Sequence, residues 1–342
     1  MPPLIDPQSQ RSFSKVTVLG AGSWGTALAV VLQTNGIPTT VWGQDPAAMA
    51  QVRDSGENAP YLPGVRLPAG LTFTSDFDAA KDADLLLLAV PSRAIREVAG
   101  KLAASGIREG AVLLSGTKGV ERGSGLRMSE VVAEFFSGHA VGVLSGPSHA
   151  EEVARGLPTA VVVGCHDAGV AARLQQAFST ATFRAYTSHD VPGIELGGAL
   201  KNVFALAAGV SDGLGLGDNA KASLITRALS ELVRLGTALG GEEDTFQGLS
   251  GVGDLMVTCF SAHSRNRMVG ERLGRGEALA AIIASMRMVA EGVPTTHSVW
   301  ECARKFGVKT PIVDQMHALL EATTSPRRAL ENLLSREPRP ER

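Results

Sequence analysis

Val16-Thr17-Val18-Leu19-Gly20-Ala21-Gly22-Ser23-Trp24-Gly25, followed by the helix-forming run Thr26 to Leu32, is the stretch whose reading decides the fold. A short aliphatic strand runs into a G-x-G-x-x-G turn and then into a helix, the context in which those glycines carry meaning. Gly20 permits the tight turn, Gly22 lets backbone approach a pyrophosphate, and Gly25 lets the helix pack on the strand. A diphosphate would sit at the helix N-terminus, held by its N–H groups and the positive end of the helix dipole. The alternative for the same residues is a Gly-rich turn without a ligand.

Outward from this turn, the chain from Lys15 to about Tyr186 alternates short aliphatic runs with helical-period segments, the pattern of a parallel α/β sheet. Strands are expected at Val16 to Leu19, Thr39 to Trp42, Leu85 to Ala89, Val112 to Leu114, Val141 to Leu144 and Ala160 to Val163. Several are too apolar to face water on either side, which requires helices on both faces. After Thr187-Ser188-His189-Asp190-Val191-Pro192-Gly193 helical periodicity takes over, in Ala222 to Leu239, Ala278 to Ser285, Val293 to Phe306 and Pro311 to Ala322. The expected fold class is therefore α/β: a Rossmann-type doubly wound domain over 1–190, an all-helical substrate and catalytic domain over 191–335, and a frayed tail over 336–342. Two domains also suit a length of 342 residues at about 150 per domain. The cluster Gly213-Leu214-Gly215-Leu216-Gly217 has no strand before it, so it reads as an interhelix turn or a close-packing site.

Hydrophobic residues at 44% and charged residues at 19% exclude a disordered or collagen-like chain. Lys and Arg number 32 against 34 Asp and Glu, with no basic stripe, which argues against nucleic acid as a partner. Cys165, Cys259 and Cys302 lie far apart and form no Cys/His cluster at metal-ligand spacing, so buried thiols in a reducing cytosol and no metal are expected. Met1 to Lys15 is polar, with Pro2, Pro3 and Pro7, and lacks the apolar stretch of a signal peptide. No apolar run approaches the ~18 residues that would suggest a membrane span. The expected location is cytoplasmic.

NAD sites usually place Asp or Glu about 20 residues beyond the turn, at the end of the second strand. Here the residues are Trp42-Gly43-Gln44-Asp45: Gly43 and Gln44 carry nothing to repel a 2′-phosphate, Asp45 sits just past them, and Arg is absent. NADPH is expected to be accepted, and the choice between NAD and NADP stays open. A dehydrogenase that reduces a ketone must also protonate the carbonyl oxygen, so it needs a general acid within hydrogen-bond reach. Lys201 stands in Glu195-Leu196-Gly197-Gly198-Ala199-Leu200-Lys201-Asn202, an otherwise small and apolar helix at the expected domain junction. Burial there would disfavour the ammonium form; the alternative is a lysine snorkelling to the surface. His149 and His263 adjoin polar motifs but share no metal-binding spacing.

Gly20 to Gly25, Val90-Pro91-Ser92, Thr117-Lys118-Gly119, Ser145-Gly146-Pro147-Ser148-His149-Ala150-Glu151-Glu152-Val153, Glu195 to Asn202 and Ser264-Arg265-Asn266-Arg267 follow one another as in the bacterial NAD(P)-dependent glycerol-3-phosphate dehydrogenase family, which this chain resembles from about residue 15 to 335. The resemblance implies reversible NAD(P)H-dependent reduction of dihydroxyacetone phosphate to sn-glycerol 3-phosphate, supplying glycerophospholipid synthesis. It implies Lys201 as proton donor and acceptor, and Lys118 as a contact shared by substrate and cofactor. Gly146, Ser148 and Asp254 resemble the substrate contacts, and Asp254 can also orient Lys201. Ser264, Arg265 and Asn266 would hold the substrate phosphate, Arg265 touching the cofactor as well. Ser23, Trp24, Ala150, Val289 and Glu291 match the remaining cofactor positions; Gln44 stands where relatives carry Arg or His. A homodimer through the helical domain is implied too. The same plan serves 6-phosphogluconate and β-hydroxyacid dehydrogenases, and a non-catalytic NAD(P) redox sensor is the alternative from another class.

Overall fold

The computed structural model describes residues 13–337, so the expected tail beyond residue 337 and the Pro-rich start through residue 12 lie outside the described residues. The chain divides into two compact units. One contains the residues through Lys118 together with Leu126–Glu195; the other contains Gly119–Gly125 and the residues from Leu196 onward.

In the first unit eight strands form one sheet: β1 Val16–Leu19, β2 Thr39–Trp42, β3 Thr72–Thr74, β4 Leu85–Leu88, β5 Val112–Ser115, β6 Val141–Ser145, β7 Thr159–Gly164 and β8 Phe183–Ser188. Their order is β3-β2-β1-β4-β5-β6-β7-β8. Every residue of β1, β4 and β5 is buried, as strands covered on both faces must be. Its α-helices among the described residues are α1 Ser23–Thr34, α2 Pro46–Ser55, α3 Ile95–Ser105, α4 Met128–Ala133, α5 Ala150–Ala154 and α6 Ala168–Phe178. The expected all-parallel sheet needs correction, because β7 runs antiparallel to β6. Strands β3 and β8 join the expected six. β3 is three residues long with one buried side chain, and β8 exposes Arg184, Tyr186 and Thr187, so neither makes the apolar run by which central strands are recognised.

α7, Val191–Gly213, starts in this unit. Val191 and Ile194 pack on Val143, and the buried Glu195 carboxylate accepts from Ser129 N and Arg127 Nη1, both at 2.9 Å, and from the Ser129 hydroxyl. Burial pushes the Glu195 carboxyl above the ordinary range.

The rest of α7 is the central element of the second unit, with α8 Gly217–Ala238, α9 Glu243–Phe246, a π-helical turn at Leu249–Gly253, α10 Asp254–Phe260, α11 Arg265–Gly274, α12 Leu279–Ala284, α13 Gly292–Lys305, α14 Pro311–Leu320 and α15 Pro326–Leu334. By length and composition α7 could cross a membrane, but its most apolar 18-residue window, with a mean hydropathy of 1.2, is 100% buried in the fold. It is a core helix. α11 lies against it at backbone contact: a Cβ on Gly209 would fall 2.0 Å from the Arg267 carbonyl oxygen, and one on Gly270 2.0 Å from that of Leu206. Gly213 is a third such contact, where a Cβ would fall 2.2 Å from the Glu271 carbonyl oxygen, while Gly215 and Gly217 turn the chain with φ of +69° and +80°. The second glycine cluster is thus both a turn and a packing site.

A cavity of about 460 Å³ in this unit is lined by Val210, Leu214, Leu224, Met316 and Leu330 among others, and includes none of the candidate site residues. At its wall Glu231 accepts from Ile312 N at 3.1 Å and Val313 N at 2.9 Å, capping α14, and burial pushes its carboxyl up to about 7.

Candidate functional site

The cradle in the first unit is made of main chain. Gly20 turns the chain at the end of β1 with φ of +122°, and a Cβ there would meet the Ala89 carbonyl oxygen at 2.6 Å. That contact joins the C-terminal ends of β1 and β4, where the strand order reverses and open α/β sheets bind ligands. A Cβ on Gly25 would lie 2.0 Å from the Gly20 carbonyl oxygen, so glycine is what lets α1 start flush on the turn. A Cβ on Gly22 meets nothing within 4 Å. α1 has no side-chain cap and no acidic residue in its first turn, which leaves its leading N–H groups directed at an anion. Open space at Gly22 beside uncapped donors fits a dinucleotide diphosphate.

Ser23 is buried in the first turn of α1. Trp24 donates from Nε1 to the Gly116 carbonyl at 3.0 Å and Thr117 Oγ1 donates to the Val90 carbonyl at 2.8 Å, which ties the segment leading to Lys118 onto the same strand ends. Lys118 Nζ and Ser148 Oγ both donate to the Gly146 carbonyl, at 3.1 and 2.9 Å. Three candidate substrate contacts therefore meet at one oxygen. Nearby in the chain, the buried hydroxyls of Ser115 and Ser145, at the ends of β5 and β6, have no hydrogen-bond partner. Ala150 places its side chain in the core, leaving main chain as what it can offer a ligand. Gln44 is exposed. Asp45 caps α2, accepting from Ala47 N at 2.9 Å and Ala48 N at 3.2 Å, so its carboxylate is engaged at a helix start.

The centre in the second unit is made of buried side chains. Lys201 is 6% exposed and Asp254 0%, which rules out the snorkelling alternative. The Lys201 ammonium donates to an Asp254 carboxylate oxygen and, at 2.8 Å, to Thr258 Oγ1; Thr258 in turn donates to the Asp254 main-chain carbonyl at 2.6 Å. A buried ammonium needs such a counter-charge, because an isolated charge in an apolar interior is prohibitively costly. The π turn aligns the pair. A Cβ on Gly197 would lie 2.4 Å from the Ser250 carbonyl oxygen, so glycine there admits the turn one helical repeat before Lys201. Asp254 follows immediately, and single-turn π segments recur at functional sites.

Ser264 caps α11, its Oγ accepting from Arg267 N at 3.2 Å, which keeps the hydroxyl proton available as a donor. Arg265 begins the helix and donates to the Val289 carbonyl at 2.7 Å. Asn266 is more committed than expected: its Nδ2 donates to Asn202 Oδ1 at 2.8 Å and its Oδ1 accepts from Gly292 N at 2.9 Å, the residue after Glu291. Arg267, the last residue of the S-R-N-R block, donates to Asp212 at 2.7 Å and Glu271 at 3.1 Å and serves the fold. Sequence reasoning missed Thr258 and Asn202. Thr258 stands four residues after Asp254 on one helix face, and Asn202 adjoins Lys201; both signals become readable once Lys201 and Asp254 are paired.

The family model of the NAD-dependent glycerol-3-phosphate dehydrogenase N-terminus matches residues 15–171, and that of the C-terminus matches 190–331. A glycerol-3-phosphate dehydrogenase [NAD(P)+] of Prosthecochloris aestuarii is 47% identical over 330 residues, covering 95% of this chain and 99% of that protein. One from Nitratidesulfovibrio vulgaris is 49% identical, covering 96% and 100%. The crystal structure of glycerol-3-phosphate dehydrogenase from Coxiella burnetii superposes with a TM-score of 0.90 at 38% identity, covering 94% of this chain and 99% of that one. With both halves matched and relatives of this identity along almost its whole length, the chain belongs to the NAD-dependent glycerol-3-phosphate dehydrogenase family of oxidoreductases.

Proposed function

We propose that this chain catalyses the reversible NAD(P)H-dependent reduction of dihydroxyacetone phosphate to sn-glycerol 3-phosphate, with Lys201 as general acid and base, and so supplies glycerophospholipid synthesis. The observation that carries the reading is the buried Lys201–Asp254–Thr258 group, since a dehydrogenase needs a held proton donor and a binding module does not. Gly20, Gly22, Ser23, Trp24 and Gly25 would hold the cofactor diphosphate, with Gln44, Lys118, Ala150, Arg265, Val289 and Glu291 as further cofactor contacts. A bound reduced nicotinamide supplies hydride to the carbonyl carbon. Lys201 donates a proton from Nζ to the carbonyl oxygen as negative charge develops there, and takes it back in the oxidative direction. Asp254 and Thr258 hold Nζ in one orientation throughout. Lys118, Gly146 and Ser148 would position the triose, and Ser264, Arg265 and Asn266 its phosphate, Arg by its two-pronged fork. Because both amide ends of Asn266 are bonded to protein, its part is carried by its remaining N–H. Domain roles follow the same proposal, nucleotide binding over 1–190 and catalysis over 191–335, as do a homodimer through the helical part and a cytoplasmic location, which rest on resemblance to the family.

Initial rates with dihydroxyacetone phosphate and with 6-phosphogluconate, each with its cofactor in NAD and NADP form, test the reading. Turnover of the triose phosphate with NADH or NADPH is expected. Turnover of 6-phosphogluconate alone would assign the chain to the other dehydrogenase class, and nucleotide binding without turnover of either would make it a sensor.

A further inference from the structure

We propose that His297, His317 and Glu321 form a binding site for a divalent metal ion of the zinc type, joining α13 to α14. His297 lies on α13, and His317 and Glu321 lie four residues apart at the end of α14, so one helical face presents two of the ligands. One ligand atom from each residue lies within 4.8 Å of the other two, and His297 Nδ1 stands 3.4 Å from Glu321 Oε1. A tetrahedral ion with ~2.0–2.2 Å bonds to nitrogen and oxygen holds its ligand atoms roughly 3.3–3.5 Å apart. The His297–Glu321 pair already has that separation, and the His317 ligand atom lies within 4.8 Å of both.

The ring of His317 is fixed in place by its neighbours. It stacks on Trp300 with centroids 4.0 Å apart and planes at 8°, and meets the His297 ring edge-on at 5.2 Å. Burial, with the neighbouring His317, holds His297 below the usual imidazole range. The charged groups facing it are Glu321, Glu301 one turn along α13, and Arg122, which pairs with Glu301 at 4.0 Å. Two imidazoles and one carboxylate select Zn²⁺ and its first-row neighbours, because Mg²⁺ and Ca²⁺ require oxygen ligands. Three protein ligands leave a fourth position to water. None of these residues takes part in the nucleotide cradle or the Lys201 centre, so the ion would act as a clamp between helices. Spacing along the chain did not reveal the cluster because its members come from two helices.

The test is a Co²⁺ titration of the tag-free, EDTA-dialysed full-length protein, read by visible absorption, with Zn²⁺ displacement. One equivalent of Co²⁺ should bind with the intense bands of a tetrahedral site and be released by Zn²⁺. His317→Ala and Glu321→Gln, the latter at an exposed position, should each weaken binding at least ~10-fold; Glu301→Gln should leave it unchanged. No Co²⁺ bands, or binding retained in Glu321→Gln, would overturn the proposal.

Discussion

The two units build their candidate sites from different material. In the first, the cradle is backbone: a turn with positive φ at Gly20, a helix started flush at Gly25, and uncapped N–H groups at the head of α1. In the second, the centre is a set of buried side chains, Lys201 with Asp254 and Thr258, and Asn202 with Asn266. Glycine serves both, by admitting a ligand in one case and a neighbouring turn in the other. Each site is therefore vulnerable in its own way. A backbone cradle fails when something fills its space, whereas a side-chain centre fails when one partner loses its charge or position.

Substitutions can break that contrast. Gly25→Val puts side-chain atoms where the Gly20 carbonyl already stands, so nucleotide affinity should be lost altogether in fluorescence titration, while unfolding of the helical unit is unaffected. Asp254→Asn should lower kcat about 100-fold, within the range of general acid–base catalysis, and reduce stability by roughly 3 kcal/mol, because a buried ammonium loses its counter-charge. Its dissociation constant for NADPH should not change; if affinity fell with kcat, the two sites would not be separable in this way. Arg265→Ala should raise KM for the triose phosphate ~10- to 100-fold, as expected for a lost charge-assisted contact, with a smaller rise for NADPH. A change in the cofactor KM alone would remove Arg265 from the phosphate site. The smallest structural effect belongs to Gly22→Ala: its Cβ meets nothing within 4 Å, so stability should stay within ~0.5 kcal/mol while nucleotide affinity falls about tenfold. Unaltered affinity would show that the diphosphate does not approach there.

The same contrast explains what could be read from the sequence. A backbone cradle is written in local residues: β1, the glycines and α1 are contiguous, and the buried β4 and β5 declare themselves by unbroken apolar runs. Strand direction is not encoded in such runs, which is why the antiparallel setting of β7 against β6 was not legible. β3 and β8 were missed because short or half-exposed edge strands lack the signal. Lys201 was legible as a lone cation in an apolar helix, but its partners lie 53 and 57 residues away and no local pattern joins them. Asp254 entered through family resemblance alone, Thr258 not at all. Likewise Asn266 reads as a ligand contact in its motif, yet its amide is bonded to Asn202 and Gly292, a commitment set by the close packing of α11 on α7.

Whether Lys201 carries the proton is decided by kcat for dihydroxyacetone phosphate reduction, measured for Lys201→Met beside the wild-type chain, with the NADPH dissociation constant determined on the same samples. A fall of ~10² to 10⁴ in kcat with nucleotide binding unchanged is expected; a near-normal kcat would contradict the assignment.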